Sequence, residues 1–539
     1  MVTVSLIYSV IEIGYYLSAL YSQRGYLMDI VEQITHLQVL NQFWLLLIFL
    51  VPMVLISRTV VAGTRFSPIL IIVIFGLLLG FILVSVGIAT PGLPEFPFVD
   101  FMARTTIIAL IVSFFVGGQE LRKILGNKEM ESPDIVVPSE EETILGTNRT
   151  QLFFIIRSFF LLIGIEGLTR MIMQGQTVEG FAAYNPLIAY IGLIIAVILI
   201  DNKAKISNKH VYIRKGLLEI ALIVMILIIS AYIAQAFHSL IALPQIFFAM
   251  MISAALGAIF YNWTFGPTLR ALLFAGIPVV LAANFMVGGS RIGDAFAIQG
   301  MNAVLTYGFF GQLFWMFGGI ALVMLIAKTA HIRNLAPGMA GSLSHSGLTG
   351  ACTAGDFGQV AAKRAPIMIN IPFFGHVFVF SILAISAERG TLWLGPTAVI
   401  VLIGVGLTAL ALLNLRRAHG DDRKEVKALM QFSFGWQICA VFGGLALLSL
   451  STIPFDYSVM AQSSAISHFG LFAAVQGEMF GSEAALLIPF IFSMPFLVHP
   501  LVFYMFGKAM ERNGEMPIKP VYLFALIGVI GVVYSIYFA

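Results

Sequence analysis

A chain of 539 residues with 59% apolar and 11% charged side chains, and a mean hydropathy of +0.96, lies outside the composition of soluble globular domains. It predicts an all-α polytopic membrane protein. A net charge of +3 excludes a strongly basic nucleic-acid-binding surface, and the two cysteines, Cys352 and Cys439, have no paired spacing that would mark a disulfide framework or metal site.

The N-terminal stretch has neither a basic leader nor a small-residue cleavage site, so it reads as a retained first helix. Windows of about 20 apolar residues place spans near 3–21, 43–61, 68–88, 101–118, 152–173, 184–200, 217–237, 244–260, 268–288 and 305–327. Further spans follow at 366–386, 392–415, 429–450, 484–506 and 520–538, while 456–480 is too polar to assign. The polar loop 119–150, with its acidic run at 139–142, reads as a solvated cytoplasmic segment. Glu166 and Arg170, four residues apart, suit an ion pair within one helix. Asp294 suits either a solvated loop or the vestibule of a buried site.

Residues 335–364, LAPGMAGSLSHSGLTGACTAGDFGQVAAKR, interrupt this pattern with glycine, serine and threonine. Non-helical backbone survives at membrane depth only where protein surrounds it or where it lines a wet cavity. The run is therefore expected to be a Gly-rich hairpin at a binding site. Its hydroxyls, on Ser342, Ser344, Ser346, Thr349 and Thr353, are hard oxygen donors suited to an alkali cation or a carboxylate. Asp356, its only acid, reads as a sodium or proton site, or as a cap or ion-pair partner of Lys363 or Arg364. His345 reads as a proton carrier or a packed ring, and His376, just after Pro372, as a residue of the same cavity or of the core.

Charge supports the hairpin. With the N-terminus inside, the inner loops collect Arg58, Arg65, Arg122, Lys123, Lys128, Arg149, the 203–215 cluster, Lys328, Arg333 and the 416–424 cluster. This holds only if 335–364 enters and leaves on one face, making it re-entrant. A weak repeat is also visible: a helix led by Pro68 and a later one ending SFFVGG match a helix led by Pro244 and one ending NFMVGG. Five spans separate the copies, so the second is expected upside down, with a site at the repeat interface. The expected divisions are 1–42, a first repeat 43–200, a second repeat 217–386 carrying the hairpin, and C-terminal helices 387–539.

The order of a long helix, the hairpin AGSLSHSGLTGACTAGDFGQ and the Pro-containing helix INIPFFGHVFVFSILAIS resembles the bacterial glutamate:sodium symporters over about 43–386. The pattern departs from theirs in two ways: the stretch matching their other hairpin, FAAYNPLIAYIGLIIAVILI, reads as an ordinary helix, and 387–539 has no counterpart. The resemblance implies an inverted-repeat secondary transporter, a symporter of a small organic anion such as glutamate, with sodium as coupling ion and no other cofactor. A monovalent cation/proton antiporter is the alternative. No ATP-binding loop is recognised and no enzymatic activity is expected. The expected partners are the bilayer, a small-molecule or ion substrate and, as an open alternative to a monomer, a second copy in a homodimer. The expected location is the plasma membrane, with the N-terminus cytoplasmic.

Overall fold

The computed structural model describes residues 37–61, 68–85, 97–125, 148–174, 209–237, 245–327, 331–353, 357–418, 421–476 and 478–537. The expected spans 3–21 and 184–200 lie outside them. The described residues form helices α1 (Leu37–Val61), α2 (Pro68–Ser85), α3 (Pro97–Leu125), α4 (Asn148–Gln174), α5 (Lys209–Phe237), α6 (Gln245–Ile259), α7 (267–290) and α8 (Ile292–Ala297). Then come α9 (Met301–Ala327), α10 (Ile332–Leu343), α11 (Ser346–Thr353), α12 (Gln359–Phe373), α13 (His376–Arg389) and α14 (Leu394–Arg417). The last five are α15 (Asp422–Leu448), α16 (Phe455–Ile466), α17 (Phe469–Gln476), α18 (Ser482–Glu511) and α19 (Ile518–Tyr537). Eight of these helices are long and apolar enough to cross a bilayer, and α12 with α13 forms one further bent pair, kinked by 44°. The chain is a multi-pass helical membrane protein.

Close packing rests on small residues, because lipid tails supply no hydrophobic drive between helices and tight backbone approach does the work instead. Gly80 of α2 lies on the Met286 carbonyl of α7, and Gly289 of α7 on the Leu77 carbonyl of α2. The same exchange recurs between α6 and α3, where Gly257 meets the Phe115 carbonyl and Gly118 the Ala254 carbonyl. A Cβ at any of the four would overlap the facing backbone. The Pro-led helices and the VGG ends thus pair crosswise, each Pro-led helix packing on the other copy's VGG helix.

The Gly-rich run is more helical than its composition suggests. Among the described residues it forms α10 and α11, which meet at a break at Ser344 and His345, because surrounding protein stabilises helix where isolated Gly and Ser would not. Ser344 takes a left-handed conformation (φ 49°), and the His345 and Ser344 amides close the end of α10 on Ala340 and Gly341 (2.9 and 3.0 Å). The stretch folds back on itself, since Arg333 at its start and Arg364 beyond its end both bond Asp422 at the N-terminus of α15 (3.3 and 3.1 Å).

The polar stretch 456–480, unassigned from sequence, is a second element of the same form. α16 ends on Ser467 (φ 51°), with the His468 and Ser467 amides bonded to Ser463 and Ser464 (2.9 and 3.0 Å). Its outer ends also meet: Tyr457 donates to Glu483 (3.2 Å) and the rings of Phe455 and Phe480 lie 5.7 Å apart. That end of the bundle is opposite to Asp422, because α15 runs between them.

Within the chain itself, 387–539 carries a recurrence of the segment before it. Ser344-His345-x-Gly347-Leu348 recurs as Ser467-His468-x-Gly470-Leu471, and Gly358, Pro366, Pro372 and His376 recur as Gly481, Pro489, Pro495 and His499, all at one constant offset. Gly358 and Gly481 also share their backbone conformation (φ 87° and 91°, ψ 163° in both). Residues 301–417 and 422–537 therefore repeat each other element by element. Much of the expected repeat 43–200 lies outside the described residues. The expected single helix 366–386 is bent after Pro372, whose ring cannot continue the backbone ladder.

Candidate functional site

The two broken elements meet tip to tip in the middle of the bundle. His345 and His468 pair as one antiparallel bridge, and the Phe469 amide donates to the Ser344 carbonyl (3.4 Å). Each tip histidine caps the short helix that follows it, its Nδ1 accepting the third amide of that helix: Leu348 on His345 and Leu471 on His468, both at 3.1 Å. An Nδ1 that accepts is unprotonated, so the neutral rings carry hydrogen on Nε2.

Two further histidines complete the site from the opposite repeat. His499 of α18 lies 4.7 Å from His345, and His376 of α13 lies 4.7 Å from His468, ring centre to ring centre. Here the ring chemistry is reversed, because a carbonyl can only accept: His376 Nδ1 donates to Phe373 (3.1 Å) and His499 Nδ1 to Pro495 (3.3 Å). The neutral rings therefore hold a bare lone pair on Nε2. Both Nε2 atoms are buried without a hydrogen-bond partner.

Gln312 of α9 and Gln437 of α15 bridge the network. The Gln312 amide lies 2.7 Å from His345 Nε2, whose N–H needs an acceptor, so its oxygen is the atom that faces that ring; it lies 3.4 Å from His499 Nδ1, whose one N–H is directed at the Pro495 carbonyl. Gln437 lies 2.7 Å from His468 Nε2 in the same sense. Each glutamine is followed by a π-helical turn, at Leu313–Phe317 and at Cys439–Gly443, a distortion common near functional sites. Gly347 and Gly470 are required here: a Cβ on Gly347 would strike the Nε2 of His499, and one on Gly470 the ring of His376.

Of the residues expected from sequence, His345 and Ser344 sit at the crossing, both buried. Ser342 is buried one turn back and its hydroxyl donates to the Met339 carbonyl (3.0 Å). Ser346 and Thr353 open and close α11, and the amide of buried Thr349 donates to the His345 carbonyl (2.9 Å). Asp356, the expected sodium ligand, lies outside the described residues. Arg364 pairs with Asp422. Asp294 sits on α8, half-exposed and paired with Arg291 (3.0 Å), on a helix that packs on α7, α9 and α18 and not at the crossing. Glu166 and Arg170 form the expected ion pair. His376, weighed for the cavity or for packing, is buried and stacks on His468. Gln312, Gln437, His468 and His499 were not singled out from sequence, although the recurrence of Ser-His-x-Gly-Leu marks two of them.

The arrangement suits neutral hydrogen bonding and proton exchange at mid-bundle, in a place where an unpaired full charge is costly. No family model, curated protein or solved structure matches the chain.

Proposed function

We propose that the chain is a secondary active transporter whose two helix–break–helix elements are re-entrant hairpins entering from opposite faces of the membrane, within inverted repeats 301–417 and 422–537. The observation that carries this reading is the meeting of two buried, polar, broken tips from opposite ends of the bundle. Broken helices facing each other at the repeat interface are how such transporters expose polar backbone to a solute without exposing it to lipid. The resemblance to glutamate:sodium symporters points the same way. The substrate class is a small organic anion such as glutamate or a related carboxylate, for which the N-termini of α11 and α17 beside the tips provide a favourable dipole. The orientation that puts the basic clusters inside places the first hairpin on the cytoplasmic side of a plasma-membrane protein.

Purified protein in proteoliposomes, given labelled amino and dicarboxylic acids with a sodium gradient or a pH gradient imposed separately, tests this. Concentrative uptake under either gradient is expected. Uptake that never exceeds protein-free vesicles under any gradient contradicts it. Sodium or potassium efflux driven by a pH gradient without an organic substrate would favour the cation/proton antiporter, which the bare ring nitrogens of His376 and His499 also accommodate.

A further inference from the structure

We propose that His376 and His499 are the coupling-proton sites of the transporter, each covered by the hairpin of the other repeat, so that binding a proton and withdrawing that hairpin are one event. The proposal rests on the transport reading above. Three features of the structure carry it.

First, each ring is fixed at Nδ1 by a carbonyl three or four residues before it, Phe373 for His376 and Pro495 for His499, leaving Nε2 as the one place a proton can add. Both rings are fully buried, and both Nε2 atoms lack a partner. Second, what covers each Nε2 is a glycine of the opposite hairpin, Gly347 over His499 and Gly470 over His376. A Cα offers a new N–H no acceptor, so the closed hairpin fits the neutral ring and disfavours the imidazolium. Third, the titratable groups that face these rings, among the described residues, are the tip histidines, His345 with its ring 4.7 Å from His499 and His468 with its ring 4.7 Å from His376. The remaining contacts are Gln312 and the rings of Phe496 and Phe503 around His345 and His499, and Gln437, Phe373 and Phe380 around the other pair.

Proton addition at His499 puts a cation beside His345, whose outward nitrogen already carries hydrogen, and the pair then repels. Withdrawal of the first hairpin opens His499 to water at the Asp422 end. By the same logic the second hairpin opens His376 at the Glu483 end. The proton comes from water on the side to which each hairpin opens, and it leaves by the reverse step.

The test needs no substrate. In a background with Cys352 and Cys439 replaced by alanine, Ser342→Cys reports withdrawal of the first hairpin and Ala465→Cys that of the second, through maleimide labelling referenced at each pH to the unfolded variant. Between pH 8 and pH 5.5 the referenced rate is expected to rise about tenfold, because a ring opened to water binds its proton at about pH 6.5, one unit above the end of the range, while the covered ring stays neutral. His499→Gln should abolish the rise at Ser342→Cys and spare that at Ala465→Cys, and His376→Gln should do the reverse. Labelling independent of pH, or a rise that survives the matching substitution, overturns the proposal and leaves the transport reading to the uptake assay. A second measurement requires no substitution at the rings: ¹⁵N-histidine spectra of the whole protein at pH 8 should show two buried rings with hydrogen on Nδ1 and a bare Nε2. Buried rings that are all Nε2–H overturn it equally.

Discussion

At the residue scale, the histidine cluster is governed by which ring nitrogen is already occupied. His345 and His468 accept a backbone amide and His376 and His499 donate to a carbonyl, so four residues of one type divide into two roles. The glycine two positions after each tip histidine belongs to the same device, because it makes room for the ring from the other repeat. Gly470→Ala and Gly347→Ala should each lower stability by about 1–3 kcal/mol, the usual cost of overpacking a filled site. Thermal unfolding in detergent checks this, with Gly406→Ala as a control, since nothing lies near a Cβ there. Equal melting of all three variants would remove the argument. His331, at the mouth of the first hairpin, is pushed below the ordinary histidine range by burial and then by Arg333. A base so lowered favours the fold while neutral, and that contribution is lost as pH falls through the ordinary range near about 6.5. The fall in melting temperature from pH 8 to pH 5 should therefore be smaller in His331→Gln than in the parent.

At the scale of elements, the mouth of the first hairpin is closed by Asp422, which accepts from Arg333, Asn334 and Arg364. The Arg364 side chain is 6% exposed while that of Asp422 is 44% exposed, so solvent screens part of the pair. Asp422→Ala is expected to cost about 1–3 kcal/mol, less than a fully buried pair would, mainly by stranding the guanidinium. Arg333→Ala, whose side chain is 44% exposed, should cost less than about 1 kcal/mol. The reverse order in thermal melts would place the anchor on Arg333. The position of the first hairpin was legible in the sequence because Gly, Ser and Thr crowd between 338 and 358. The second was hidden because its arms, FDYSVMAQSSAI and FGLFAAVQ, hold one glycine between them, and the Asp, Ser and Gln of the first make it too polar to read as a span. Composition finds a break made of small residues. It misses the second, although a left-handed serine, Ser344 or Ser467, makes both breaks.

For the whole molecule, membrane class and most spans followed from hydropathy alone, since about 20 apolar residues are what a bilayer demands. The repeat was harder. The Pro68 and Pro244 helices were visible as a pair, and their crosswise packing through Gly80, Gly118, Gly257 and Gly289 bears on that pairing. The longer correspondence, 301–417 with 422–537, is carried by a few fixed positions among freely varying apolar residues, which hydropathy cannot register. Partner choice at the site was illegible for the same reason: each histidine pair joins residues from different repeats, and no local spacing announces it.

The central claim is that two hairpins enter from opposite faces and meet in the middle, and labelling in sealed right-side-out and inside-out vesicles tests it most directly. In the Cys352→Ala, Cys439→Ala background, Lys363→Cys should react with a membrane-impermeant maleimide only from the cytoplasmic face and Glu483→Cys only from the external face. Reaction of both from the same face would contradict the account.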